Sequence, residues 1–168
     1  AVDTNGETTT SPKLPSYLTI GSVSEESVPD LRFWGDFGYE NTLQNKEIDI
    51  RYIYINGGPN QNGDGKDFNF NSWRTSNRTL KFAQESVRYG MVPFFVYYNI
   101  PDGGESYQTD LAHTQSTEYM QAYFKDLRQF LSDVQDVMGD DLYGIILEPD
   151  FLGYMQQLSG KRPEQIKT

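Results

Sequence analysis

The sequence lacks cysteine, has few basic residues and contains no long apolar run. The absence of cysteine excludes a disulfide scaffold, thiol catalysis and thiolate-bound metals. Lys and Arg number 14 against 24 Asp and Glu, so the net charge is -10 and phosphate backbones and anionic lipid headgroups are repelled. No stretch approaches the roughly 20 apolar residues that a bilayer crossing needs, and the mean hydropathy is -0.66. We therefore predict a soluble protein that binds neither nucleic acid nor membrane and whose partners are neutral or cationic.

Histidine is almost as scarce, since His113 is its sole instance. A lone imidazole cannot form the usual zinc site, and no nucleophilic triad is visible, so we expect no metal and no cofactor and interpret His113 as a surface residue or one near a helix. Aromatic residues are abundant, with 12 Tyr, 10 Phe and 2 Trp. Rings with a polar edge suit surfaces that stack on sugars, so this composition favours a carbohydrate ligand.

A length of 168 residues predicts one domain with its own hydrophobic core. Residues 1–15 are polar, rich in Thr and end in prolines, which predicts a flexible leader or linker before a domain over residues 16–168. This leader has neither the basic nor the apolar segment of a signal peptide. We interpret the chain as a processed product of export, and predict a secreted or periplasmic protein.

Four apolar runs predict β-strands, and the third of them is apolar on both faces, as in a covered parallel strand. These runs are Tyr17–Val23, Ile48–Ile55, Met91–Ile100 and Leu142–Leu147.

Two helical patterns lie between the later runs, over Ser76–Tyr89 and Ser116–Met138, and each is followed by a glycine. The first places Leu80, Ala83 and Val87 on one stripe. The apolar stripe of the second is predicted to consist of Met120, Phe124, Leu127, Leu131, Val134 and Met138.

Strands that alternate with helices predict an α/β fold with parallel strands joined by right-handed crossovers. A complete (β/α)8 barrel takes about 250 residues, and four strands would supply half of one. We therefore predict the N-terminal half of a TIM-type barrel, completed by a missing C-terminal segment or by another chain. An open four-stranded sheet is the alternative.

In either architecture ligands bind at the C-terminal ends of the strands, where carboxylates follow the fourth run. Glu148 and Asp150 follow three apolar residues that end at Leu147. Burial beside aromatic rings would raise a carboxyl pKa toward neutrality, which suits an acid that protonates a leaving oxygen. The alternative is that one of these carboxylates caps the next helix.

The third run ends in the sequence Tyr97-Tyr98-Asn99-Ile100-Pro101-Asp102. Tyr97, Tyr98 and Asn99 are candidate sugar-binding residues, and Asp102 is a candidate for orienting water or a partner carboxylate. Alternatively the tyrosines belong to the core, and Asp102 is a turn residue in Pro-Asp-Gly-Gly. After the first run, Trp34 and Asp36 are further candidate substrate contacts, although a loop tryptophan also serves as an anchor to the core.

The motifs Tyr98-Asn99-Ile100-Pro101-Asp102 and Glu148-Pro149-Asp150-Phe151-Leu152, separated by a helix, resemble glycoside hydrolase family 6. That family comprises inverting cellulases with a distorted, incomplete β/α barrel. The resemblance implies that Asp150 is the general acid and that Tyr98 helps to distort the bound sugar. The family has a second aspartate where this chain has Gly104, with Glu105 adjacent but expected to point elsewhere.

These residues predict a secreted glycoside hydrolase-like protein that acts on a β-glucan or related polysaccharide. Asp150, Glu148 and Asp102 are the candidate catalytic residues, and we expect this chain alone to lack turnover because a second catalytic carboxylate is not apparent. A noncatalytic carbohydrate-binding barrel that has lost the catalytic set is the alternative. A third hypothesis is an unrelated α/β surface protein in which Glu-Pro-Asp only caps a helix.

Two further motifs carry little weight. The loop Asn60–Gly65 has oxygen side chains at alternate positions, as calcium loops do, but the first ligand position is Asn60 and the twelfth is Asn71. We interpret it as a solvated loop. The Asn-Arg-Thr sequence at Asn77 is a glycosylation acceptor only in a eukaryotic secretory route.

Overall fold

A computed structural model describes residues 16–23, 49–56, 78–88, 90–102 and 104–167. The chain divides into two compact units, each assembled from three segments. Unit 1 contains Ala1–Ile53, Asn77–Phe95 and Asp133–Ile145. Unit 2 contains Tyr54–Ser76, Val96–Ser132 and Ile146–Thr168. None of the described helices combines the length and hydropathy that a bilayer crossing requires.

The described strands form one sheet in the order β1-β2-β3-β4. They are β1 (Gly21–Val23), β2 (Ile50–Ile55), β3 (Val92–Tyr97) and β4 (Gly144–Leu147).

Parallel pairing follows from the register of the backbone hydrogen bonds. Between β1 and β2, Gly21 pairs with Ile50 and Val23 with Tyr52. Between β2 and β3, Val92 N donates to Asp49 O and Tyr98 N donates to Ile55 O, so the partner numbers rise together along the two strands. The predicted α/β class and parallel pairing are confirmed. Among the described residues the sheet is open and does not close into a barrel.

The described helices are α1 (Arg78–Arg88), α2 (Tyr107–Gln115), α3 (Thr117–Met138) and α4 (Phe151–Ser159), followed by a 3-10 turn at Pro163–Gln165. The periodicity predicted α1 and α3 to within two residues at each end. It did not predict α2, whose sequence has no apolar stripe. A side-chain cap defines the start of α2, because Ser106 Oγ accepts a hydrogen bond from Thr109 N.

The buried stripes of α1 and α3 agree with the predicted ones at Ala83, Val134 and Met138 and differ elsewhere. In α3, Phe124 is 48% and Leu131 is 37% exposed, whereas Tyr119, Tyr123 and Phe130 are buried. In α1 the buried residues are Thr79, Phe82, Ala83 and Ser86. The burial of aromatic residues with hydroxyl groups explains the change in α3, since the tyrosines gain both packing and buried hydrogen-bond partners there.

Unit 1 contains a buried cation. Arg51 of β2 has no exposed surface, lies 3.5 Å from Glu85 of α1, and places its guanidinium 4.5 Å from the centre of the Phe82 ring. The charge is therefore compensated both by a carboxylate and by a ring face. At the start of β4, Gly144 is required because a Cβ there would lie 2.3 Å from the Phe94 ring.

The core of unit 2 is built around a buried tyrosine. Tyr97 of β3 packs at right angles to Tyr123 and beside Phe130, with ring centres 5.5 and 5.3 Å away. Its hydroxyl donates to Asp126 Oδ2 at 2.6 Å, and both partners are buried. This pair satisfies two polar groups that would otherwise be costly to remove from water.

Candidate functional site

The backbone changes direction immediately after β4, at Glu148. Glu148 N donates to Tyr97 O at 2.9 Å and so continues the strand pairing by one residue. Glu148 then adopts φ = 46°, in the left-handed region that non-glycine residues rarely occupy. Helix α4 begins three residues later, at Phe151. This conformation ends the strand and places Glu148 and Asp150 in different surroundings.

The side chain of Glu148 is buried and accepts three hydrogen bonds. Its Oε1 accepts from Asn99 N at 2.9 Å and from the Tyr123 hydroxyl at 3.0 Å, and its Oε2 accepts from Ile100 N at 3.1 Å. Burial raises the pKa of this carboxyl to about 7, even though all three hydrogen bonds act to lower it. Glu148 thus connects the ends of β3 and β4 to α3, and it is only 8% exposed.

Asp150 is exposed and takes part in a tyrosine contact. It precedes α4 with helical backbone angles, and its side chain makes no capping hydrogen bond. The alternative in which Asp150 caps the helix through its side chain is therefore wrong. Instead, the Tyr98 hydroxyl donates to Asp150 Oδ2 at 3.2 Å. Residues that follow β3 and β4 thus meet through their side chains, as the sequence predicted for the strand ends.

A second tyrosine and carboxylate extend this contact. The hydroxyl of Tyr154, in α4, donates to Glu105 Oε2 at 3.2 Å. Partial burial and the neighbouring charges of Asp150 and Glu105 raise the pKa of Tyr98, which keeps this phenol protonated. We call Tyr98, Glu105, Asp150 and Tyr154 the tyrosine-carboxylate cluster. Glu105, which the sequence suggested would point elsewhere, belongs to it.

Asp110, in α2, is a buried carboxylate that the sequence did not single out. It has no exposed surface, and neither of its oxygens accepts a hydrogen bond from the described residues. Burial raises its pKa to about 6; the charge of His113 opposes this rise, while Glu105 and Asp150 add to it. Asp110 therefore lies within electrostatic range of both carboxylates of the tyrosine-carboxylate cluster.

Two predicted sugar contacts lie in the core. Tyr97 has no exposed surface, so its ring cannot stack on a sugar. Asn99 is 1% exposed, and its side-chain amide donates to Ile55 O at 3.0 Å, which ties β2 to β3. Tyr98 is half-buried and lies edge-on to Tyr54, with ring centres 6.2 Å apart. Of the three adjacent candidates, Tyr98 alone retains surface for a ligand.

Asp102 and His113 adopt local roles. Asp102 lies in a turn in which Gly104 N donates to Pro101 O at 3.0 Å, as the turn alternative predicted. The His113 ring stacks on Tyr119 at 3.9 Å, and its Nδ1 lies 2.5 Å from Ile100 O. His113 is thus a half-buried residue within α2, whereas the sequence suggested a surface residue or one near a helix.

The remaining candidates, Trp34, Asp36, the Asn60–Gly65 loop and Asn77, lie outside the described residues. Within the described ranges, no group of three or more His, Cys, Asp or Glu side chains is arranged to hold a metal ion.

The signals for the residues that sequence reasoning missed are weak. Tyr154 lies one helical turn after Asp150, which places both residues on one side of α4. Asp110 lies four residues after the capping Ser106, in the first turn of α2. No family model, curated protein or solved structure matches the chain.

Proposed function

We propose that this protein is a secreted glycoside hydrolase-like protein that acts on a β-glucan or related polysaccharide at the tyrosine-carboxylate cluster. One observation carries the proposal: Asp150, which follows β4, accepts a hydrogen bond from Tyr98, which follows β3. Ligand sites of parallel α/β proteins lie at these strand ends. A carboxyl next to half-buried aromatic rings combines a group that can donate a proton with apolar surface that can pack against a sugar ring.

In this proposal Asp150 is the general acid. Its proton passes to the glycosidic oxygen as the bond from that oxygen to the anomeric carbon breaks. Water adds to the anomeric carbon and loses a proton to a base that the remaining half of the barrel would supply. The Tyr98 hydroxyl orients the carboxyl, and the rings of Tyr98 and Tyr54 offer apolar surface to the sugar. Glu148 supports this region from behind, because its three hydrogen bonds fix the ends of the strands.

The proposed architecture is the N-terminal half of a parallel β/α barrel whose remaining half is supplied by further chain or by another chain. Exposed apolar residues on β4 and α3 support it. Ile146 is 40% and Leu147 is 54% exposed in a strand at the end of the sheet order, and Phe124 and Leu131 are exposed on α3. Further strands and helices of a barrel would cover such surfaces.

A noncatalytic carbohydrate-binding protein is the second candidate. Two features favour it: Gly104 stands where the resemblance calls for a second carboxylate, and the buried Glu148 is enclosed by three donors and is only 8% exposed. The described carboxylates would then bind sugar hydroxyls without transferring a proton.

The Asp150→Asn variant of the complete protein, with the remaining half of the barrel present, separates the two candidates. If the protein is an enzyme, reducing-end release from β-glucan should fall about 100- to 10,000-fold, because a general acid contributes that much, while binding of cellohexaose by calorimetry persists. If it is a binding protein, the wild type binds cellohexaose and shows no hydrolysis to lose.

Asp140→Asn is the matched control, because Asp140 is an exposed aspartate in the turn that follows α3. This substitution should change neither reducing-end release nor cellohexaose binding. Absence of both binding and hydrolysis across a panel of β-glucan, cellohexaose and related oligosaccharides would contradict both candidates and favour the unrelated α/β surface protein.

A further inference from the structure

A cavity of about 800 Å³ lies in unit 2, where helix α2 ends and helix α3 begins. Its walls come from the end of α2, from the first half of α3 and from Lys167; we call it the α2–α3 cavity. Gln115 Nε2 donates to Lys167 O at 3.4 Å, which holds this part of the chain beside α2. Cavities of about 300 to 1,000 Å³ are typical of small-molecule sites. The α2–α3 cavity is therefore large enough for a ligand.

The charged side chains that line the α2–α3 cavity are cationic. They belong to Arg128 of α3 and to Lys167, which are both exposed, and neither forms an ion pair with a carboxylate of the described residues. Glu118 is close in sequence, but its carboxylate accepts from Ser116 Oγ and is not part of the described lining. The cavity thus presents positive charge in a chain whose net charge is -10.

This local charge departs from the neutral or cationic partners that the net charge predicts. At physiological ionic strength the field of an exposed charge is screened over about 8 Å. Distant carboxylates therefore act on a ligand in the cavity less than the cations in its walls do. Arginine binds a carboxylate through two parallel hydrogen bonds, and lysine adds a compact charge. The charged part of the lining thus favours a ligand that carries a carboxylate.

The uncharged part of the lining combines apolar surface with hydrogen-bonding groups. Phe124 lies one turn before Arg128 on the same side of α3 and is 48% exposed, and Met120 lies one turn earlier. An exposed ring packs well against the apolar face of a sugar ring. The lining also contains neutral side chains that donate and accept hydrogen bonds: Thr114, Gln115, Ser116, Thr117 and Gln121. These groups match the face and the hydroxyls of a pyranose.

A second cavity, of about 250 Å³, adjoins the first, because Gln115 and Lys167 line both. It adds a further cation, Lys161, and a further amide, Gln165, and its described lining contains no carboxylate. The cationic lining therefore continues from one cavity into the next. Two adjoining cavities suit a ligand of several sugar units better than a single acidic sugar.

We propose that the α2–α3 cavity binds a glycan that contains uronic acid units. Arg128 and Lys167 bind the carboxylate of one unit, whose ring packs against Phe124, and Lys161 attracts the carboxylate of a following unit. The four residues of the tyrosine-carboxylate cluster are absent from the described lining of both cavities. This binding site is therefore separate from the proposed hydrolytic site and does not depend on it.

Phe124 has two possible partners, because a further helix of the proposed barrel would also cover it. Such a helix would remove the cations, amides and hydroxyls around Phe124 from water, which is costly unless each gains a new partner. A glycan supplies those partners through its carboxylate and hydroxyl groups. Leu131 lies outside the lining of the cavity and remains available to a barrel helix.

The test compares two trisaccharides by calorimetry with the complete protein. The β-1,4-linked trimers of glucuronic acid and of glucose differ only at carbon 6, which is a carboxylate in the first and a hydroxymethyl group in the second. We expect the glucuronic acid trimer to bind at least about tenfold more tightly, because hydrogen bonds to a charged group contribute that much. Arg128→Gln should remove most of this preference and change cellotriose binding less than about twofold.

Lys125→Gln is the matched control. Lys125 is an exposed cation of the same helix that lies outside the described lining, so its removal should change neither affinity.

Phe124→Ala distinguishes a bound glycan from a covering helix. We expect this variant to bind the glucuronic acid trimer about fivefold more weakly and to keep the urea midpoint of unfolding of the wild type. A lower midpoint with unchanged binding would show that Phe124 packs against another part of the protein, and would overturn the proposal.

The remaining outcomes separate this proposal from the proposed function. Equal affinity for the two trimers would overturn the uronic acid proposal and leave the hydrolase proposal, which depends on Asp150, intact. Loss of glucuronic acid trimer binding in Asp150→Asn but not in Arg128→Gln would place the acidic sugar at the tyrosine-carboxylate cluster, and this proposal would be wrong. Triglutamate provides a further arm: equally tight binding with the same dependence on Arg128 would mean a general carboxylate site and would overturn the assignment to a glycan.

Discussion

Glu148 and Asp110 are both buried carboxylates of unit 2, but their surroundings supply different numbers of donors. Glu148 accepts two backbone amides and a tyrosine hydroxyl. Asp110 accepts nothing from the described residues. Burial raises the pKa of both groups, to about 7 for Glu148 and about 6 for Asp110. A raised pKa alone therefore does not show whether a buried carboxylate is held by hydrogen bonds, whereas the count of donors does.

The largest expected effect is that of Glu148→Gln. The glutamine amide has the size of the glutamate side chain, but its NH2 group cannot accept a hydrogen bond. At least one of the buried groups that donate to Glu148 therefore loses its acceptor. We expect the free energy of unfolding to fall by about 3 kcal/mol. Urea titration followed by fluorescence measures it. A loss below about 0.5 kcal/mol would show that the three hydrogen bonds do not hold the strand ends.

The pH dependence of stability tests Asp110. Its folded pKa of about 6 lies above its ordinary value of 3.8, so between these two pH values the folded state retains a proton that the unfolded state has released. Stability contributed by this group is fully present below about pH 4 and is lost as pH rises through 6. Glu148 acts in the same direction, between 4.5 and about 7. The free energy of unfolding should thus fall as pH rises from 4 to 7.

Asp110→Asn should remove the contribution of Asp110 to this fall. We expect the variant to be about 2 kcal/mol more stable than the wild type at pH 8 and nearly equal to it at pH 4, because the protonated acid and the amide are both neutral. Chemical denaturation at the two pH values measures the difference. An equal effect of the substitution at both pH values would contradict the raised pKa, because it would mean that Asp110 binds its proton equally tightly in the folded and the unfolded protein.

Tyr123→Phe sharpens the comparison by removing one of the three donors to Glu148. Loss of one hydrogen bond to a charged group should lower the free energy of unfolding by about 1.5 kcal/mol. The pKa of Glu148 should rise further, since this hydrogen bond lowers it in the wild type. The fall in the free energy of unfolding with rising pH should therefore occur at higher pH in this variant than in the wild type. Tyr143→Phe, at a half-buried tyrosine before β4, is the control and should not shift the profile.

Tyr98→Phe should have the smallest effect on stability, because it breaks a part-exposed hydrogen bond to Asp150. We expect less than about 0.5 kcal/mol in the unfolding free energy. Binding of cellohexaose should weaken several-fold, since Asp150 loses the donor that orients it. A change in stability without a change in binding would place Tyr98 with Glu148 among the structural residues.

The fold was predictable where local pattern and tertiary packing agree. Apolar runs located β2 and β4 to within two residues at each end. The third run located β3 but extended three residues beyond the end of the strand. The predicted stripes of α1 and α3 were right at Ala83, Val134 and Met138, which are buried. Phe124 and Leu131 were wrong, because periodicity cannot distinguish an apolar face from an adjacent face that buries tyrosines through their hydroxyl groups. Helix α2 was not predicted, because it has no apolar stripe and its main sequence signal is the capping residue Ser106.

The site was predictable at the ends of the strands and not beyond them. Strand order places residues after β3 and β4 together, so the meeting of Tyr98 and Asp150 follows from topology. The burial of Tyr97, Asn99 and Asp110 does not, because the sequence does not reveal which side of a strand end or helix the neighbouring elements cover. Polar residues with no exposed surface were accordingly the hardest to place.

Position 148 is subject to two requirements that no ordinary side chain meets in full. Its left-handed backbone favours glycine, while the three surrounding donors require a carboxylate of glutamate length. A saturation library selected for folding at this codon should therefore return glutamate and very little else. Glycine would adopt the left-handed backbone without strain but would leave the three donors without an acceptor. Aspartate would be too short to accept from all three donors.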